Sequence, residues 1–176
     1  MHSAVVASRS LALVASLVLG GYALARLRFE FRSEVHEAVE PKDAFVGRAT
    51  AWMTSALREQ MWMCWIAENE AVIPSASEGS APGALIGSLW LYLIPKIPNP
   101  NGHPEEHAYL SSFSVRADAR NSGIGSLLLA EALSFCETHR IDSIVLWPTE
   151  RSRPLYLRHG FRVATGMLDR PIAGHF

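Results

Sequence analysis

The chain has 176 residues, which at roughly 150 residues per domain makes one domain with a little to spare. Its 49% hydrophobic and 19% charged residues are the composition of a globular chain and exclude a disordered one. With 16 Lys+Arg against 17 Asp+Glu the net charge is −1, so there is no overall basic field to hold a polyanion and no nucleic-acid partner is expected.

From Ser10 to Ala25 the chain reads SLALVASLVLGGYALA, uncharged, with Arg9 before it and Arg26 after it. A basic flank, a short apolar run and the small-x-small triplet Ala23-Leu24-Ala25 have the dimensions of a secretory signal. The run falls short of the roughly 20 residues that span a bilayer, and Gly20-Gly21 weakens a helix there. The preferred reading is an apolar first element packed on the domain, or a start upstream of the true fold. Leu24, Leu27 and Phe31 recur at helical spacing and predict a first amphipathic helix. Beyond Pro41-Lys42-Asp43, the positions Phe45, Ala49, Trp52, Met53, Ala56 and Leu57 fall on one face of a second helix.

Trp62 to Glu68 (WMCWIAE) is short, apolar and aromatic, which suits a buried strand. The Ser, Gly and Pro cluster from Pro74 to Gly83 predicts a loop, and Leu85 to Ile94 a second strand paired with the first as a hairpin. Prolines 95, 98, 100 and 104 make the next residues a stiff, extended segment. His107 to Val115 reads as a strand that runs into RADARNSGIG, and Ser126 to Arg140 as a helix with a broad apolar face. Ser143 to Trp147 is predicted as a buried strand, Pro148-Thr149-Glu150 as a turn, Ser152 to His159 as a short helix and Gly160 to Val163 as a returning strand.

Trp52, Trp62, Trp65 and Trp90, with Met53, Met61 and Met63, are expected to build the core between the second helix and the first strands. The chain has two cysteines, Cys64 and Cys136. They lie far apart in apolar runs, which excludes a disulfide framework or zinc knuckle and fits a reducing compartment; both are read as packing residues, and no metal is expected. Glu34, Glu37, Glu40 and Asp43 read as a solvated helix face rather than a lure for a cationic amine.

At Arg120-Asn121-Ser122-Gly123-Ile124-Gly125-Ser126 a strand passes into a helix through glycines. Such a loop exposes unsatisfied N–H groups at the positive end of a helix dipole, a site for phosphate or pyrophosphate, to which Arg120 adds a charge-assisted contact. A dinucleotide fingerprint needs a small residue where Leu128 stands, and a Walker loop needs Gly-Lys-Ser/Thr where Gly125-Ser126-Leu127 stands; neither fits.

Val115, Arg120, Gly123 and Gly125 meet the pattern Val-x-x-x-x-Arg/Gln-x-x-Gly-x-Gly/Ala, and Leu155-Tyr156-Leu157-Arg158-His159-Gly160-Phe161 meets Leu-Tyr-x-x-x-Gly-Phe. Through these two segments the chain resembles the GNAT acyltransferase superfamily from about Trp62 to Phe161. Two positions depart from it: Thr149 stands where the family often has Asn, and Ser152 where Ala is common, and the Asn's role is not carried onto Thr149. The resemblance implies a single α/β (α+β) domain with a mixed, largely antiparallel central sheet flanked by helices. That domain is expected over residues 23–176, with 1–22 as an apolar leading segment, either an extra element or a membrane tether.

The resemblance also implies acetyl-CoA as cosubstrate. Backbone N–H groups of Asn121, Ser122, Gly123, Ile124, Gly125 and Ser126 would cradle its pyrophosphate, with Arg120 against it. Phe113, Ser114 and Val115 would pair with the pantetheine arm, one of their N–H groups polarising the thioester carbonyl. Tyr156, protonated at neutral pH with a reference pKa of about 10, would donate to the departing thiolate. The implied activity is direct transfer of the acetyl group to a primary amine of a small molecule or peptide, in the cytoplasm where acetyl-CoA is, with a homodimer common among such proteins. The general base stays open among Glu105, Glu106, His107 and Tyr109, with Glu150 an outside candidate, and the acceptor is not legible. The rival readings are a non-catalytic acyl-CoA-binding module and a membrane-associated interaction protein.

Overall fold

Side chains on a strand alternate between faces, and in the Trp62–Glu68 strand Trp65 and Ala67 enter one core cluster while Cys64 enters another. The sheet therefore has two covered faces. The structure, a computed structural model, describes residues 6–9, 14–34, 37, 39–68, 85–100, 105–164 and 166–168. Its elements in chain order are β1 (Val6–Arg9), α1 (Val14–Ser33), α2 (Lys42–Arg58), β2 (Trp62–Glu68), β3 (Leu85–Pro95), β4 (Glu106–Val115), α3 (Ile124–Thr138), β5 (Ser143–Val145) and α4 (Arg153–Arg158). The five-stranded sheet runs β1-β2-β3-β4-β5. Neighbours are antiparallel except β4 and β5, which are parallel. This is the mixed, largely antiparallel sheet flanked by helices that the family resemblance implies.

The middle strand is buried from Ile86 to Leu91 without a break, because both of its faces are covered. On one face Leu89, Leu91, Ala108 and Leu110 pack against Leu128, Leu129, Ala132 and Phe135 of α3. On the other, Trp90 and Cys64 pack against Leu24 and Ala25 of α1 and Val46, Ala49 and Met53 of α2. The tryptophans divide accordingly. Trp52, Trp62 and Trp90 cluster on the α2 side, whereas Trp65, expected with them, lies edge-on to Phe135 of α3 at 5.6 Å. Both cysteines are free and buried, and burial pushes the Cys136 thiol up to about 11 and raises Cys64 as well, which keeps both thiols protonated and inert.

The amino-terminal run is part of this architecture. β1 pairs with β2 from Val6↔Glu68 to Arg9↔Trp65, and α1 is one continuous helix through the expected boundary between residues 22 and 23. At Gly21 α2 packs close against α1: a Cβ there would stand 2.6 Å from Thr54 Oγ1. Among the described residues no helix is long and apolar enough to cross a membrane.

Two predicted strands are corrected. β5 ends at Val145, so Leu146 and Trp147 leave the sheet. Gly160 to Val163 form no strand. Phe161 is engaged by the end of α4 and Val163 is exposed, so no strand edge takes up this segment. The loop predicted from Pro74 to Gly83 lies outside the described residues, as does Pro104.

Candidate active site

The early end of β5 opens the sheet. β4 and β5 pair only from His107↔Ser143 to Tyr109↔Val145, while β4 continues to Val115, so the two chains part and leave one edge of β4 without a strand neighbour. A bulge sharpens the parting. Ser88 faces Ser114 and Trp90 faces Ser111, which sets Ser112 and Phe113 against the single residue Leu89, and Ser112 takes a left-handed φ of 48°. Bulges re-aim strands beside active sites, and a non-glycine residue held at positive φ is strain of the kind found there.

The gap is a cleft of about 800 Å³, a size suited to a small-molecule ligand. Phe113, Ser114, Val115, Arg120, Asn121, Gly123, Gly125, Ser126 and Tyr156 all line it. Ser122 and Ile124 do not. The Ser122 hydroxyl donates to the Ala119 carbonyl at 2.7 Å, and Ile124 is buried in the core; for both, what remains is the backbone N–H.

The floor of the cleft is the start of α3. Asn121 (φ 63°) and Gly123 (φ 90°) turn the chain through left-handed conformations into the helix. The first helical hydrogen bond is Leu127 N–H to the Gly123 carbonyl, 3.0 Å, so the N–H groups of Ile124, Gly125 and Ser126 have no acceptor within the helix. No side chain caps this end and its first turn carries no acid. Unsatisfied donors at a helix start suit an oxyanion. Arg120 donates through Nε to the Val115 carbonyl at 2.8 Å and forms an ion pair with Glu34, just past α1. It thus braces the end of β4 against α1, in addition to lining the cleft.

α4 explains the second sequence motif. The Gly160 N–H bonds to the Leu157 carbonyl (3.2 Å) and the Phe161 N–H to the Tyr156 carbonyl (3.1 Å), with Gly160 at φ 84°. This is a Schellman cap, in which a left-handed glycine ends the helix and an apolar residue after it packs back on the last turn. Here that contact is Phe161 on Tyr156, edge-on at 5.5 Å, and Phe113 of β4 meets Tyr156 at 6.2 Å. Leu-Tyr-x-x-x-Gly-Phe is therefore a device that fixes the tyrosine ring. Tyr156 is 7% exposed, and burial pushes its phenol up to about 12. Among the described residues its hydroxyl has no hydrogen-bond partner, and the residue faces the cleft.

The two departures from the family pattern belong together. The Thr149 N–H donates to Ser152 Oγ at 3.0 Å and the Ser152 N–H to Thr149 Oγ1 at 3.2 Å, a reciprocal pair that fixes the turn into α4.

Of the proposed bases only Tyr109 lines the cleft. His107 bonds to Ser143 Oγ at 2.7 Å, Glu105 pairs with Lys96 at 2.6 Å and Glu150 with Arg153 at 2.6 Å. Among the described residues that line it there is no Asp, Glu or His. Sequence reading missed Arg28, Phe31 and Arg32, by which α1 forms one wall; their i, i+3, i+4 spacing was the available signal.

The model of the acetyltransferase (GNAT) family matches residues 29–161. No curated protein matches the chain. Among solved structures, a predicted acetyltransferase from Clostridium acetobutylicum, solved with acetyl-CoA, superposes with a TM-score of 0.67 at 18% identity, over 96% of each chain. A GCN5-related N-acetyltransferase from Ralstonia eutropha gives 0.65 at 24% identity, over 97% of this chain and 100% of the other. An aminoglycoside acetyltransferase from an uncultured soil metagenomic sample gives 0.64 at 15%, over 97% and 99%. These likenesses show the fold, and the family match, which takes in β2 through α4 with both motifs, shows that this chain belongs to the GNAT acetyltransferase family.

Proposed function

We propose that the chain is an acetyl-CoA-dependent N-acetyltransferase that transfers the acetyl group directly to a primary amine of a small molecule or peptide. The observation that carries this reading is that one cleft holds the unpaired edge of β4, the uncapped start of α3 and the Tyr156 hydroxyl. The fit to the cosubstrate is chemical. A pyrophosphate needs N–H donors without competing acids, and Ile124, Gly125 and Ser126 offer them at a helix start. An extended arm needs backbone partners, and Phe113 to Val115 lie where β4 has lost its neighbour.

Acetyl-CoA supplies an acetyl group already activated as a thioester. The chain's part is to hold it extended along β4, to present a β4 N–H to the carbonyl oxygen, and to place a donor at the sulfur. Tyr156 fills the last role. With its phenol near 12 and a thiol near 8.5, full proton transfer to the thiolate is uphill, so the hydroxyl acts as a hydrogen-bond donor that keeps its proton. No carboxylate or imidazole lines the described cleft, so the amine enters as its free base and its proton leaves to solvent. An enzyme that draws on acetyl-CoA works in the cytoplasm beside its supply.

The test is calorimetric binding of acetyl-CoA, CoA and NAD, followed by thiol release on a panel of amines. Binding of both CoA species but not NAD, with amine-dependent release of thiol, is expected. Absence of CoA binding by folded protein overturns the cosubstrate, and binding without turnover on any amine leaves a non-catalytic module.

A further inference from the structure

The α1 wall of the cleft carries an unusual charge. Arg28 and Arg32, one helical turn apart, both line it. The acids of the same helix end are turned elsewhere. Glu30 pairs with Arg26 at 4.0 Å and Lys42 at 3.7 Å, and Glu34 pairs with Arg120. Among the described residues neither Arg28 nor Arg32 has a hydrogen bond or a carboxylate partner. Arg28 is half-buried, and burial first, then Arg32, pull its guanidinium below its ordinary value, against an opposing effect of Tyr109. A half-buried guanidinium beside a second like charge, without a counter-ion, is unfavourable until an anion arrives.

The place of Arg28 in the cleft sets it apart from the phosphate site. Arg28 lines the cleft together with Tyr109 and interacts with it electrostatically; Tyr109 marks the point where β4 and β5 part and meets Trp147 edge-on at 5.3 Å. From Tyr109 to Val115 is about 20 Å of strand at roughly 3.3 Å per residue, so Arg28 lies toward the inner end of the cleft and the α3 start at the outer end, with Arg32 one helical turn further along α1 toward Glu34 and Arg120. The outer end has Arg120 and the N–H groups of α3, and Arg151 and Arg158 line the cleft from α4 and the turn before it. An anion at the inner end therefore enters with the other substrate.

We propose that Arg28 and Arg32 are specificity-determining residues that bind a carboxylate of the acceptor, so that the acceptor class is a carboxylate-bearing amine such as an amino acid or short peptide. This rests on the acetyltransferase reading above. Guanidinium forks match the planar carboxylate in two parallel hydrogen bonds, and the rings of Phe31, Tyr109 and Trp147 offer apolar surface for the body of the substrate.

The experiment compares amino acids and short peptides with their own carboxamides, plus an aminoglycoside as a polycationic amine, in wild type, R32Q and R28Q/R32Q. The acids are expected to exceed their amides in kcat/KM by roughly 10- to 100-fold, the effect of one charge-assisted pair of hydrogen bonds. In the double variant this ratio falls toward one through a raised KM for the acids, while the Kd of acetyl-CoA stays within about threefold. R32Q alters an exposed side chain, leaves the fold intact, and loses part of the preference. Amides or the aminoglycoside accepted as well as the acids overturn the assignment, as does a preference that survives the double substitution. A tenfold or greater rise in the acetyl-CoA Kd also overturns it, by giving the pair to the cosubstrate's phosphates. A wild type that binds acetyl-CoA and acetylates no acid overturns the acceptor class alone. A folded wild type that binds no acetyl-CoA overturns the acetyltransferase reading and this assignment with it.

Discussion

On its β4–α3 side the cleft presents backbone: the unpaired edge of β4, the N–H groups of Ile124, Gly125 and Ser126, and left-handed turns at Ser112, Asn121 and Gly123. On its α1 side it presents side chains, among them Arg28 and Arg32, which have no carboxylate partner among the described residues. A backbone site makes the same contacts in any chain that folds this way, so it suits a cosubstrate shared by a family. A side-chain site can differ in each member at little disturbance to the fold, so it suits the partner that differs. One molecule thus shows where a family's common chemistry and a member's particular choice are written.

The strongest way to break this division is at Tyr156, a side chain of α4 that is given a role in the common chemistry. Tyr156→Phe is expected to lower kcat by roughly 100- to 1000-fold with acetyl-CoA affinity nearly unchanged; equal turnover removes the tyrosine from the chemistry. Gly123→Glu puts a negative charge at the α3 start and a side chain at φ 90°. It should weaken acetyl-CoA binding on the order of 100-fold, about 2.7 kcal/mol, and calorimetry showing normal affinity would move the pyrophosphate elsewhere.

The raised phenol makes a pH prediction with a definite sign. Between the unfolded value near 10 and the folded value of about 12, the unfolded chain binds fewer protons, so stability falls as pH rises. Wild type should lose about 2–3 kcal/mol relative to Tyr156→Phe across that window; parallel denaturation curves at each pH would contradict the burial. Because no acid or imidazole lines the described cleft, kcat/KM should climb about tenfold per pH unit below the pKa of the amine itself, and a break between pH 4 and 7 would reveal a side-chain base.

The smallest effect tests how α1 is held. Gly21→Ala should destabilise by about 1 kcal/mol, its clash with Thr54 outweighing the better helix propensity. Adding Thr54→Ala should recover the melting temperature, and failure to do so would mean that α1 and α2 are not held at this contact.

The glycine loop and the Leu-Tyr-x-x-x-Gly-Phe segment were legible because each is a local device: α3 needs Gly123 at positive φ, and α4 needs Gly160 at C′ with Phe161 folding back on Tyr156. Hydrophobic periodicity likewise revealed α2, β2, β3, β4 and α3, since each has to bury one face or two. Three things were not legible. Leu146 and Trp147 continue an apolar strand pattern, yet β5 stops at Val145 because β4 turns away at its bulge. Phe161 to Val163 look like a strand but find no edge to pair with. That Arg28 and Arg32 are left without carboxylate partners among the described residues depended on Glu30 and Glu34 finding partners elsewhere. The sequence by itself determined the elements, the phosphate loop and the tyrosine cap, because those rest on interactions within a few residues. Only the tertiary structure decided the opening of the sheet and the charge of the wall facing it, because those depend on which distant groups pair with each other and which are left over.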